Sequence, residues 1–170
     1  MSGFIAGGDT SAAYPISNAD FWPEIDGQQL RAAMRIDSSV TDDRLEVATV
    51  NAMIEANREL AAYRAARQAE GYATLEDVPA EQIKGKSQLL HLYCRVIYCG
   101  ALAELIERYQ SFDATNSGEQ KVTEEESSPD QLRRDARKAL RTILGISHAT
   151  ITQQTMQILL DRITLGRGNG

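Results

Sequence analysis

The sequence predicts an all-α protein: a small helical bundle around one central buried helix, with extended arms at both ends. Three observations carry this. Hydrophobic residues make up 42% of the chain but aromatic ones only 6%, and an alanine-rich remainder suits packed helices better than a β-sandwich. Several stretches open on capping signals and continue at helical spacing. One of them, 87–110 (SQLLHLYCRVIYCGALAELIERYQ), is apolar on nearly every side, and a helix of that kind is normally wrapped by others.

That central stretch is long enough for about six helical turns. Leu89, Leu92, Tyr93, Val96, Ile97, Cys99, Ala103 and Ile106 cover most of the cylinder, while Gln88, His91 and Arg95 leave a polar gap on one side. Glu104, Glu107 and Arg108 leave another, roughly opposite and further along. Arg95, Glu104, Glu107 and Arg108 interrupt the apolar run, which argues against a membrane span.

The remaining elements follow in order. Residues 1–20 hold Gly, Ala and Ser without a helical period and read as an arm. Phe21-Trp22-Pro23 is an aromatic anchor. Asp26 then caps a short helix ending near Arg35 or Ile36, with Gln29 at the capping-box position and Ile25 placed to staple onto Leu30. Thr41 caps the next helix, with Asp42 and Asp43 in its first turn and Val40 facing Leu45. Its stripe of Leu45, Ala48, Ala52, Ala56, Leu60 and Tyr63 predicts one helix running to Gly71, whose alanines let it approach the central helix closely. Residues 71–86 read as a connector with one short helical turn after Pro79, closed by Gly85. Ser87 caps the central helix.

Residues 113–127 are the most polar stretch and read as a loop. Ser128, Pro129 and Gln131 form a strong start signal for a helix to Leu144, stopped at Gly145. Leu132, Ala136, Ala139, Leu140 and Ile143 are its buried face; Arg133, Arg134, Arg137, Lys138 and Arg141 make the opposite face basic. Residues 146–170 are a second arm, with apolar Ile151, Met156, Leu159, Leu160 and Ile163 suited to docking on a partner. The expected division is an N-terminal arm (1–20), a helical domain (21–145) and a C-terminal docking arm (146–170).

Composition and motifs restrict function. A net charge of −6 gives no sign of a general nucleic-acid binder. Cys94 and Cys99 point about 140° apart on one helix and cannot pair within it, as suits structural thiols in a reducing compartment. Residues 1–10 lack the features of a secretion signal, so assembly in a cytosol is expected. His91, Cys94, Cys99 and His148 lack the paired spacing of zinc knuckles. Glu104 and Glu107 are one turn apart, as carboxylates on exposed helix ends commonly are. There is no Gly-rich phosphate loop, G-x-S-x-G elbow or H-E-x-x-H. Neither an enzyme nor a bound cofactor or metal is expected. For the basic face three readings stand: solvated surface, a face for DNA phosphates, or a contact with an acidic neighbour, for which Glu124, Glu125 and Glu126 of the next subunit are candidates. In an acidic chain the subunit contact is preferred.

The strings FWPEID, RAAMRID, NRELAAYRAARQAEGYATLEDVPAEQIKGKS and LAELIERYQSFDA, in that order and closed by the basic helix beginning near Leu132-Arg133-Arg134-Asp135, resemble the head-completion proteins of contractile-tailed temperate phages. The resemblance covers about residues 21–145, and no segment of it is a catalytic signature. It implies a virion structural protein at the head–tail neck, assembled in the host cytoplasm. As implied, it is an adaptor that docks as a twelve-membered ring under the portal protein after DNA packaging, retains the genome and presents the surface for a tail-terminator or tail-completion protein. Packaged DNA would lie nearby in the channel, and no membrane is involved. The alternative is a small helical DNA-binding or packaging-regulator protein that uses 133–141 on phosphates.

Overall fold

The computed structural model describes residues 13–113 and 128–145, with Met156; for 109–113 it describes the helical backbone alone. The elements are β1 (Pro15–Ile16), β2 (Ile25–Asp26), α1 (Gly27–Ala33), α2 (Asp42–Glu59), α3 (Ala61–Ala69), β3 (Gln82–Ile83), β4 (Lys86–Ser87) and α4 (Gln88–Asp113), then α5 over 129–145. The chain is helix-rich as expected but not strictly all-α, because two small antiparallel ribbons, β1–β2 and β3–β4, accompany the helices.

The expected central helix is α4. Leu89, Tyr93, Ile97, Ala101 and Ala103 have no exposed surface, and Val96, Cys99 and Leu105 have almost none. Its principal partner is α2. The two helices meet through small residues: a Cβ added at Gly100 would stand 3.2 Å from the Cβ of Ala52. Close approach of this kind brings the flanking aliphatic side chains into contact along both helices. By length and hydropathy alone, Gln88–Arg108 could also cross a membrane, and the charged residues do not exclude that as the sequence suggested. What sets it apart is that its apolar surface forms the core of the folded body.

The local signals act as their chemistry dictates. The Asp26 carboxylate accepts from the backbone N–H of Gln28 and Gln29 at the start of α1, and Thr41 Oγ1 accepts from Arg44 N–H on α2. Both staple pairs, Ile25 with Leu30 and Val40 with Leu45, are buried. At the end of α3, Gly71 takes φ +98°. Its N–H donates to Gln68 O and that of Tyr72 to Arg67 O, the two bonds of a Schellman ending.

Three expectations change. The helix predicted to run from 42 to 71 is divided at Leu60 (φ −94°, ψ 10°), which closes α2 and opens α3 without a side-chain cap. Helical bonding still passes through, since Leu60 N–H donates to Ala56 O and Arg64 N–H to Leu60 O, both at 2.9 Å. The short helical turn expected after Pro79 is instead the β3–β4 hairpin, registered Gln82 with Ser87 and Ile83 with Lys86. Lys84 (φ 52°) and Gly85 (φ 73°) form its two-residue turn, the left-handed pair that suits the twist of a hairpin.

The third change concerns the N-terminal segment. Residues 1–12 lie outside the described residues, but from residue 13 on the chain belongs to the body. Pro15 and Ile16 pair with Asp26 and Ile25, and Gly27 N–H donates to Tyr14 O. Asn18 donates through Nδ2 to the Tyr93 hydroxyl (2.8 Å). That hydroxyl donates to Asn57 Oδ1 (2.7 Å), and Asn57 Nδ2 donates back to Asn18 Oδ1 (2.9 Å). The triangle ties the segment to α2 and α4 at once. Above it Trp22 stacks on Tyr93, centroids 4.9 Å apart and rings 8° from parallel, with Phe21 edge-on to Trp22 at 4.8 Å. Burial pushes the Tyr93 hydroxyl pKa up, which keeps it a neutral donor and acceptor.

Candidate partner-binding face

Helix α5 carries most of the candidate residues, and its placement decides which are free to meet a partner. Ser128 Oγ accepts from Gln131 N–H at its start. Leu132, Ala139, Leu140 and Ile143 are buried and Ala136 is half-buried, as the spacing predicts. Leu132 packs with Cys99 and Ala103 of α4. Two ion pairs hold the rest of the helix: Arg133 reaches Glu107 with Nε at 3.1 Å and Nη2 at 2.6 Å, and Arg95 reaches Asp135 at 3.0 Å. The paired hydrogen bonds from Arg133 hold the Glu107 carboxyl below its ordinary range. Both polar gaps of the central helix are therefore occupied. Arg95, Glu107 and Glu104 have partners, the last in Asn51 Nδ2 at 2.9 Å and Arg108 at 2.8 Å. His91 Nε2 lies 2.9 Å from Ile83 O of the hairpin, a structural tie.

The predicted interface residues consequently divide. Arg133 is engaged within its own chain. Arg134, Arg137, Lys138 and Arg141 are exposed, and none takes part in the ion pairs among the described residues. Arg134 and Arg141 direct Nε to the carbonyls of Asp130 and Arg137 one turn back, leaving the rest of each guanidinium facing outward. Glu124, Glu125 and Glu126 lie outside the described residues. So do Ile151, Leu159, Leu160 and Ile163 of the docking set, whereas Met156 is described and exposed.

The second outward face belongs to α2, and sequence reasoning passed over it. Val47 and Ile54 are 54% and 60% exposed. Their spacing of seven, off the Leu45–Ala48–Ala52–Ala56 stripe, is the signal that could have found them. Beside them Glu55 and Glu59 stand across a cleft of about 150 Å³ from Arg133 and Arg137, over a floor including Ala52, Ala56 and Gly100. A hollow of about 360 Å³ lies between Val47, Ala48 and Leu105 further along.

No group of three or more His, Cys, Asp or Glu among the described residues is placed to hold a metal. Cys94 and Cys99 are free thiols, each raised in pKa by burial, a setting that disfavours the reactive thiolate. Arg67 is 2% exposed, with Glu70 Oε1 2.8 Å from Nη2 and the Tyr63 ring 5.7 Å below its guanidinium carbon. Its Nε has no hydrogen-bond partner among the described residues.

Residues 16–153 match the family of phage head completion proteins (GPL). The chain belongs to that family. A curated relative, the head completion/stabilization protein of Escherichia phage P2, is 38% identical over 138 residues, 81% of this chain and 82% of that protein. No solved structure matches. Membership supports a head-completion role and a place in a phage virion. The match begins at Ile16, the buried residue of β1, which pairs with Ile25.

Proposed function

We propose that the protein is the adaptor that completes a filled phage head: it docks as a ring beneath the portal, retains the packaged DNA and offers the surface on which the tail is seated. Family membership supports the coarse role. The observation that carries the finer reading is the outward row of Arg134, Arg137, Lys138 and Arg141, a basic face on an acidic chain, outside the ion pairs that hold α5 to α4. A face of this sort sets register and partner choice more than affinity. In this reading it meets a neighbouring copy in a ring of twelve, while Ile151, Met156, Leu159, Leu160 and Ile163 dock on the portal.

The test is complementation of a phage lacking its own head-completion protein. Full-length protein restores filled, tailed particles, and electron microscopy of labelled particles finds it at the neck. Truncation after Gly145 leaves a folded protein with near-normal melting that no longer completes heads. If truncation unfolds the domain, the tail belongs to the core and its docking role falls. Tight DNA binding by the isolated protein that weakens steeply with salt would favour the packaging-regulator reading instead.

A further inference from the structure

Helix α2 keeps one outward strip that no other described residue covers. On one flank the N-terminal segment runs beside the helix: the Tyr14 hydroxyl donates to Glu46, and Asn57 Nδ2 donates to Asn18 Oδ1 at 2.9 Å. On the other flank lies α4, where Asn51 Nδ2 donates to Glu104 Oε1 at 2.9 Å. Between the flanks, at about 100° per residue, Asp43, Val47, Val50, Ile54 and Arg58 fall within about 80° of one another. Four of the five are exposed, Val47 at 54% and Ile54 at 60%, and Val50 is half-buried. Steps of four and three residues make the narrow seam through which helices pair.

Read along the helix, the strip is an acid, three β-branched apolar residues and a base. That order complements itself when reversed. An antiparallel copy brings Asp43 opposite Arg58 and Val47 opposite Ile54, each pair occurring twice about a two-fold axis, with the two Val50 side chains at the centre. A parallel copy would set like charges against each other at both ends. Neither Asp43 nor Arg58 enters an ion pair among the described residues. Asp43 also borders the hollow that Arg44 and Arg108 line on the α4 flank, where Arg108 is already paired with Glu104. The apolar residues therefore set the register, and the charges set the direction.

We propose that α2 is a self-association surface on which a second copy of this chain seats antiparallel, Val47 against Ile54 and Asp43 against Arg58. Two exposed aliphatic side chains per copy cover little area, so the pair is transient, of the class below about 1,200 Å². A two-fold contact closes at two copies and does not propagate. It is distinct from the ring contact of the adaptor reading, stands without it, and gives free chains a paired form.

The test uses the full-length chain as two variants, Val47→Cys and Ile54→Cys, oxidised mildly at high concentration, alone and mixed. The mixture forms a disulfide-linked dimer. Each variant alone forms little, because like positions then lie about 10 Å apart along the helix axis, beyond the reach of a disulfide. Wild type, whose Cys94 is half-buried and Cys99 buried, is the background. Asp43→Arg in both partners lowers the yield about tenfold, since two attractions become two repulsions. Arg58→Asp does the same, and the two changes together in each chain restore it. Circular dichroism and melting establish that each variant is folded. Equal linking in the mixture and the single variants, stronger linking of Ile54→Cys alone, no linking at all, or no rescue by the double reversal overturns the inference.

Discussion

The two helix contacts of α4 are built on different physics. Against α2 it presents Gly100 to Ala52 and buries Tyr93, Ile97 and Ala101 completely. Against α5 it shares the main core with Ala139, Leu140 and Ile143 and adds a smaller apolar seam of Cys99, Ala103 and Leu132, bordered by two ion pairs whose side chains keep 31–59% of their surface exposed. Dry close packing loses heavily when its shape changes, whereas exposed ion pairs contribute about 0–1 kcal/mol each. The α2–α4 contact therefore rests mainly on close packing, whereas α5 adds exposed ion pairs to the apolar side chains it sends into the same core.

The largest expected effect breaks the first contact. Ile97→Asp places an unpaired carboxylate at a position with no exposed surface, a change in the class that costs more than about 4 kcal/mol. Soluble, cooperatively melting protein from that variant would mean that Ile97 is not in the core. Next, Gly100→Leu forces a large side chain where even a Cβ stands 3.2 Å from Ala52. Overpacking of this kind costs roughly 1–3 kcal/mol, read as a lower denaturant midpoint. An unchanged midpoint would show that α2 and α4 separate freely, and the contrast with α5 would fail.

Tyr93→Phe sharpens the comparison at the edge of the core. It removes the hydroxyl that serves both Asn18 and Asn57 while leaving the stack on Trp22 in place. The expected loss is about 1–2 kcal/mol, with faster amide exchange over residues 13–20 than over α2. Uniform acceleration over both would show that the N-terminal segment is no separate unit.

What could be read from the chain was what neighbouring residues decide. Asp26, Thr41, Ser87 and Ser128 act on N–H groups two or three residues away, and Gly71 closes its own helix, so these ends were legible. The buried stripes of α2, α4 and α5 follow from period alone. The break at Leu60 has no Gly or Pro to announce it. The hairpin hid behind Pro79, although Ile83-Lys84-Gly85-Lys86 carries a glycine where such a turn needs one. Arg67 was missed because the stripe was ended at Tyr63; four residues further it reaches a buried cation. The Asn18–Asn57–Tyr93 triangle and the Arg133–Glu107 pair join residues far apart in sequence, so the set of cations left to face a partner could not be narrowed before the helices were in register.

The smallest effect tests the fastening of α5. Glu107 is held below its ordinary 4.5 by hydrogen bonds from Arg133, with burial opposing the shift. A carboxyl whose folded pKa is depressed contributes stability above its unfolded value, and that contribution is lost as pH falls through the folded one. The side chains of Arg133 and Glu107 are 39% and 45% exposed, so solvent screening limits the pair to at most about 1 kcal/mol at neutral pH. Glu107→Gln should accordingly lower the melting temperature slightly at pH 7. The difference from wild type should narrow from pH 4.5 downward and shrink further at high salt. A deficit that persisted in acid would assign the cost to lost packing rather than charge, and α5 would then be held to α4 in the same way as α2.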